Sequence, residues 1–403
     1  MPSSFTWLDY SEHERRKMLD AIRLFKDQGT VDELGIGTIR DTFADLFFPG
    51  TGTVQTRARY FLFVPWMYLN LEKNKAPSSI FAARARESEV RLIDVLADSG
   101  DSSGTIGVLA RRGLKRLPSS IYWQGLGAWG IRRFPGSQDQ YHRSIDGFYN
   151  SQQQIQLTDD KEPTGSRVPF NWHSALPAIP KEFPRNVSLR LTKYEGEYLR
   201  ERIVASSSHT LLAFLVDRGE LEQEIEFPWE HHQFGQFPEH IRTQLEHARN
   251  FSDLFHGAAL LYNLMLAQAK NVDKEIENYS ARLEQWAEKI TARHAALLKW
   301  DRTGFWQIVE TGNQRVPNLT RAFVNNWIDL VFSTTDLFQV GKSQPLRLLV
   351  QERERQLKKN LARLFNQRSL ELWKGEAGTR PIDYRWSNAQ VIVRDILEAV
   401  SDA

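Results

Sequence analysis

The carboxylates best placed for chemistry lie near the start of the chain. Asp41 and Asp45 are spaced i, i+4 in "GTIRDTFADLFF", and Glu33 lies just upstream. On a helix of 3.6 residues per turn the two aspartates sit about 40° apart. Ile39, Phe43, Leu46 and Phe47 take the opposite side. Like charges at this spacing repel, which favours one protonated member if water is excluded. Such a carboxylate can serve as acid, base or stabiliser of a cation. The plainer reading is a pair of first-turn acids complementing the helix dipole.

Two glycine-rich turns flank these acids. "ELGIGTIRD" resembles the hairpin of helix-hairpin-helix DNA binders, whose glycines let backbone N–H groups approach a phosphate. "PGTGT", with Thr51 and Thr53, can act likewise at the start of the next helix, where the dipole favours an anion. Neither is a Walker A motif, because no lysine follows at the required position. Ordinary turns and caps explain the same residues. Arg57 and Arg59 are two positions apart, hence about 200° apart on a helix. They cannot grip one phosphate together, so one is expected on DNA and the other on Asp41 or Asp45.

The charge distribution says more than the net charge of +2. Between residues 105 and 143 the cations are Arg111, Arg112, Lys115, Arg116, Arg132, Arg133 and Arg143. Asp139 is the only acid there, so the segment carries +6. Tyr122, Trp123, Trp129, Phe134 and Tyr141 are interleaved with them. Cations bind a phosphate backbone by releasing counterions, and exposed aromatics stack on bases. Arg111, Arg112, Lys115, Arg116, Tyr122, Trp123, Arg132 and Arg133 are therefore candidate DNA contacts. The alternative is a solvated basic face whose aromatics belong to the core.

Other chemistries find little support. The chain has no cysteine, which excludes disulfides, catalytic thiols and Cys-based metal sites. His240 and His247 share a helix face but stand about 10.5 Å apart along its axis, too far for one metal ion. No HExxH or Gly-x-Ser-x-Gly pattern occurs, and neither a metal nor a cofactor is expected. No apolar run reaches about 18 residues, so no membrane span is expected. The N-terminus lacks the basic start and apolar run of a secretory signal, and a cytoplasmic location is expected.

The elements that must position these residues read as mainly α. Helices are expected over 11–29 (Ser11 and Glu14 forming a capping box), 38–47, 53–71, 346–373 and 388–400. Further helices are expected in "ESEVRLIDVLADSG" and "PSSIYWQGLGAWGI". In 272–300, Val272, Ile276, Tyr279, Leu283, Trp286 and Ile290 form a heptad seam. That seam either fills the core or meets a partner protein. Pro163, Pro169, Pro177, Pro180 and Pro184 interrupt the middle of the chain. The division expected is a helical DNA-binding and catalytic region at 1–135, an irregular connection at 136–188, and a helical domain at 189–403.

Four stretches carry a resemblance over nearly the whole chain. They are "FTWLDYSEHERRKMLD", "DELGIGTIRDTFADLFFPGTGTVQTRARYFLFVPWMY", "RRGLKRLPSSIYWQGLGAWGIRRF" and "HGAALLYNLMLA". They resemble a bacterial family catalogued as a domain of unknown function and associated with defence against bacteriophage. The chain also resembles an anti-phage DNA glycosylase that removes glucosylated hydroxymethylcytosine. The resemblance implies double-stranded phage DNA as partner, and base flipping with hydrolysis of an N-glycosidic bond. It fixes no catalytic residue. A glycosylase needs a carboxylate beside the sugar cation and a way to extrude the base. The rival is a non-catalytic DNA-binding or scaffold subunit of a defence complex.

Overall fold

A computed structural model describes residues 32–99, 103–154, 170–221 and 223–401. The helix expected over 11–29 and the breaks at Pro163 and Pro169 lie outside them. Among the described residues the fold is mainly helical, without a strand. In chain order the helices begin with α1 (Gly37–Phe47), α2 (Tyr60–Lys73), α3 (Ser78–Asp98), α4 (Pro118–Ala128) and α5 (Gln138–Gln154). Next come α6 (Lys193–Ser207), α7 (Leu211–Arg218), α8 (Glu239–Lys270) and α9 (Asp273–Leu298). The last are α10 (Arg302–Glu310), α11 (Asn318–Ser333), α12 (Gln344–Lys358), α13 (Gln367–Glu371) and α14 (Trp386–Ser401). The described residues form two compact units, one of residues 32–42 with 246–382, the other of those within 43–245 with 383–401.

In the 43–245 unit, α2 is the central rod. Its sequence "YFLFVPWMYLNLEK" is apolar on every side, and residues Tyr60 to Tyr68 are all buried. A helix without a polar face belongs inside a core. It starts at Tyr60, seven residues later than the sequence pattern suggested, because side chains capture the backbone before it. Tyr122 Oη accepts from the amides of Thr56 (2.9 Å) and Arg57 (3.2 Å), and Asp395 accepts from that of Ala58 (2.8 Å). These groups would otherwise seed the first turn. Gly125 lets α4 approach, since a Cβ there would stand 2.2 Å from the Gly50 carbonyl oxygen.

Within 136–188 the chain forms α5 before the proline-interrupted stretch. Tyr141 and Ile145 are buried at helical spacing, and Tyr141 donates to Glu72. The stretch from 170 is irregular and fastened to α2. Asn171 Nδ2 (3.1 Å) and Trp172 Nε1 (2.9 Å) donate to Glu72 Oε1, and Trp66 Nε1 donates to the Pro177 carbonyl at 2.7 Å. A capping box of Thr192 and Glu195 starts α6.

In the 246–382 unit the heptad seam enters the core from Tyr279 on, while Val272 and Ile276 are half-buried. Tyr279, Leu283, Trp286 and Ile290 of α9 are all buried. Trp286 Nε1 donates to the Asp253 carbonyl at 2.7 Å. A Cβ on Gly257 would come within 2.3 Å of the indole, so only glycine admits it. The single long helix expected over 346–373 is instead α12 and α13. The chain leaves the helix at Lys359, whose φ is +48°, a value unfavourable for a residue with a side chain.

Candidate nucleic-acid interface

The basic segment begins in a loop pinned at both ends. Thr56 Oγ1 donates to the Gly104 carbonyl at 2.6 Å, and the Ile106 amide donates to Tyr60 Oη at 3.0 Å. Gly104 and Gly107 adopt φ values of +87° and +82°, which residues with side chains avoid. On the far side, Arg111 reaches Asp94 at 3.0 Å and Asp98 at 3.1 Å, both on α3. Arg86, also on α3, donates to the carbonyls of Arg112 (2.8 Å) and Leu114 (3.1 Å). The helix therefore holds the loop and adds a further cation to it.

Between these anchors Leu109 is 100% exposed. Arg112, Lys115 and Arg116 follow it, all exposed. Among the described residues none of these three joins an ion pair. The pinned backbone thus presents one bare leucine next to three free cations. Sequence reasoning missed Leu109 and Arg86. The signal for Leu109 was its place in "GVLARRG", a leucine between glycines with no helical partner positions.

The other basic and aromatic candidates are placed differently. Tyr122 is 0% exposed and Trp123 is 8% exposed. Tyr122 Oη donates to the Arg57 carbonyl at 2.9 Å, and Trp123 Nε1 donates to the Gly136 carbonyl at 3.1 Å. Both rings are core groups, and they give bases no stacking platform. Arg132 packs its guanidinium over Trp123, 4.8 Å from the ring centre, and donates to the carbonyls of Trp123, Phe134 and Gly136. Burial lowers its pKa. Arg133 is exposed.

Arg57 and Arg59 are structural as well. Arg57 pairs with Asp395 at 2.9 Å, and buried Arg59 pairs with Glu195 at 2.8 Å. These partners differ from Asp41 and Asp45, which spacing suggested. Burial pushes the Asp395 carboxyl up, while Arg57 and the Ala58 amide hold it down. Thr51 is buried and donates to the Phe48 carbonyl at 2.7 Å, whereas Thr53 is exposed. The Gly52 amide is taken by Gln55 Oε1 at 3.2 Å. In "ELGIGTIRD", Asp32 accepts from the amides of Ile36 and Gly37. Both glycine turns thus spend several of their own amides on internal acceptors.

Each candidate carboxylate is held by at least one cation. Asp41 accepts from Arg40 Nε at 3.0 Å, and Asp45 pairs with Arg385 Nη1 at 2.6 Å. Both aspartates are about half exposed. Glu33 is buried between Lys358 and Arg363. Among the described residues no group of three metal-ligating side chains is close enough to hold an ion, and no helix is long and apolar enough to cross a membrane.

Fold and surface together define a mainly α-helical protein with a pinned, basic, leucine-tipped loop. The chain belongs to the family of unknown function DUF6361, matched over residues 2–400. No curated protein and no solved structure matches it.

Proposed function

We propose that this chain binds double-stranded DNA through the 103–117 loop, as a base-flipping DNA glycosylase of bacteriophage defence. The observation that carries the reading is Leu109, bare at the tip of a fixed loop beside Arg112, Lys115 and Arg116. Exposing a leucine forgoes about 1.5–3 kcal/mol of burial. Its use is as a wedge. Apolar side chains of this kind enter between base steps while cations hold the adjoining phosphates. An enzyme acting on a base must extrude it from the stack. The resemblance supplies the substrate, glucosylated hydroxymethylcytosine in phage DNA, and the reaction, hydrolysis that leaves an abasic site.

A second reading, a DNA-binding scaffold without catalysis, is favoured by one observation: Glu33, Asp41 and Asp45 are each already paired with a cation. Leu109→Ala tests the wedge. The variant should keep DNA affinity, because its cations remain in place. It should lose unstacking, read as 2-aminopurine fluorescence beside a modified cytosine, and lose base release by a hundredfold or more, on the order of an intact step removed. Unstacking unchanged in the variant would remove the wedge. Tight binding by the natural chain with no base released from glucosylated DNA would leave the scaffold reading.

A further inference from the structure

A second basic feature of the 43–245 unit lies apart from the leucine-tipped loop in sequence and is independent of the reading above. Residues 131–134 and 171–173 run antiparallel. The Arg133 amide donates to the Asn171 carbonyl at 2.8 Å, and the His173 amide donates to that of Ile131 at 2.8 Å. This pairing sets Arg133 and His173 on the wall of an open cleft of about 500 Å³. Arg132, Arg202 and Ser206 line it too, the last two from α6.

Three arginines line the cleft. Glu201, itself largely exposed, meets Arg202 Nη2 at 2.7 Å. Arg132 is engaged by carbonyl oxygens, and among the described residues Arg133 joins no ion pair. The cleft therefore holds more positive than negative charge. One of its lining residues is also incompletely used: Arg202 Nε is buried with no hydrogen-bond partner among the described residues.

His173 adds a conflict. Its Nε2 faces Arg202 Nη1 at 2.8 Å, and its Nδ1 faces the Ala175 amide at 3.3 Å. A neutral imidazole accepts at one nitrogen and carries hydrogen on the other. One of the two contacts therefore sets donor against donor. Burial, then Arg202 and Arg133, keep the ring from taking a second proton. An acceptor-rich anion in the cleft would take the Arg202 Nη1 donor away from His173 and meet the guanidinium of Arg133. A phosphate group has oxygens enough for a forked guanidinium and a neighbouring donor.

We propose that the cleft of Arg133, His173 and Arg202 is a binding site for a phosphate group. The phosphate belongs either to a nucleic-acid backbone or to a free phosphate compound. Calorimetric titration of the full chain with inorganic phosphate at fixed ionic strength reads the second source. The salt dependence of DNA binding reads the first. Arg133→Gln and Arg202→Gln are the variants, and Arg133 is exposed, so its replacement leaves the fold intact. A free compound is the source if Arg133→Gln weakens phosphate binding tenfold or more and leaves the DNA salt slope alone. Backbone phosphate is the source if the same variant flattens that slope by about 1. Arg133→Gln indistinguishable from the natural chain in both measurements overturns the site.

Discussion

Glu33 and Arg363 meet at 2.9 Å inside the 246–382 unit, although 330 positions separate them. Lys358 joins the same carboxylate and also reaches Tyr262 Oη at 2.9 Å. Tyr262 donates in turn to Glu354, which accepts from the amides of Arg363 (2.8 Å) and Leu364 (3.0 Å). These groups order the turn that follows α12. Burial and the Glu354 carboxylate hold the Tyr262 hydroxyl well above its ordinary pKa, so it acts as a donor.

Glu33→Gln should therefore act on stability. Removing one partner of a buried pair leaves the other charge uncompensated, at roughly 3–5 kcal/mol. Chemical denaturation of the variant should show a loss of that order. A variant with natural stability that binds DNA but releases no base would return Glu33 to a catalytic role.

The basic loop makes a different prediction. Arg112→Glu, Lys115→Glu and Arg116→Glu together should weaken DNA binding and leave thermal stability nearly unchanged, since all three side chains are exposed. For every phosphate that the variant no longer neutralises, the slope of log affinity against log salt should flatten by about 0.9. Adding Arg111→Glu should also lower the melting temperature, because Arg111 fastens the loop to Asp94 and Asp98. Natural affinity across a salt titration in the triple variant would show that DNA binds elsewhere.

Much of this architecture was legible and much of its wiring was not. Apolar periodicity located α1, α9 and α14, because a buried stripe leaves its mark every three or four residues. The loop's charge could be counted, but not its attachment: Arg86 reaches the carbonyls of Arg112 and Leu114 from another helix. The partners of Arg57 and Glu33 lie more than 300 positions away, beyond any local pattern. Tyr122 reads the same whether it stacks on a base or fills a core. The phosphate cleft was invisible because it needs residues 131–134, 171–173 and α6 together, and the middle segment carried only turn signals.

Glu89 gives stability a pH dependence. It is 0% exposed and accepts from the Ser119 amide at 2.8 Å and the Ser119 hydroxyl at 2.7 Å. Burial raises its pKa from 4.5 to about 7, against those hydrogen bonds and Arg86. Below pH 4.5 both folded and unfolded chains carry the proton. Between there and pH 7 the unfolded chain ionises first, so stability falls as pH rises. Above pH 7 the deficit is complete, about 3 kcal/mol for a shift of this size. Glu89→Gln should abolish that decline. Parallel pH–stability profiles for the two proteins would show that Glu89 ionises normally.

Leu283→Ala and Trp286→Ala should each cost roughly 2–5 kcal/mol, because both side chains lie in a packed interior and the change leaves a cavity. Trp286→Ala also removes the indole donor to the Asp253 carbonyl. An unchanged melting temperature would return the seam to a partner contact.

Asp41 and Asp45 allow the cleanest test of catalysis because their ion pairs are exposed. Pairs of this kind contribute about 0–1 kcal/mol, so Asp41→Asn and Asp45→Asn should unfold almost as the natural chain does. The amide keeps the shape of the carboxylate and removes the charge that would stabilise a sugar cation. If either group performs that role, its variant should bind glucosylated DNA normally and release no base. The measurement is free modified cytosine by mass spectrometry, with alkaline cleavage reporting the abasic sites. Arg385 sharpens the interpretation, since its Nη1 binds both Asp45 (2.6 Å) and the Thr51 carbonyl (3.2 Å). Arg385→Gln should free Asp45 without removing it. Base release that survives Arg385→Gln but fails in Asp45→Asn assigns the chemistry to the carboxylate. Base release at the natural rate in both aspartate variants dismisses the pair, and the catalytic group must then be sought elsewhere on the chain.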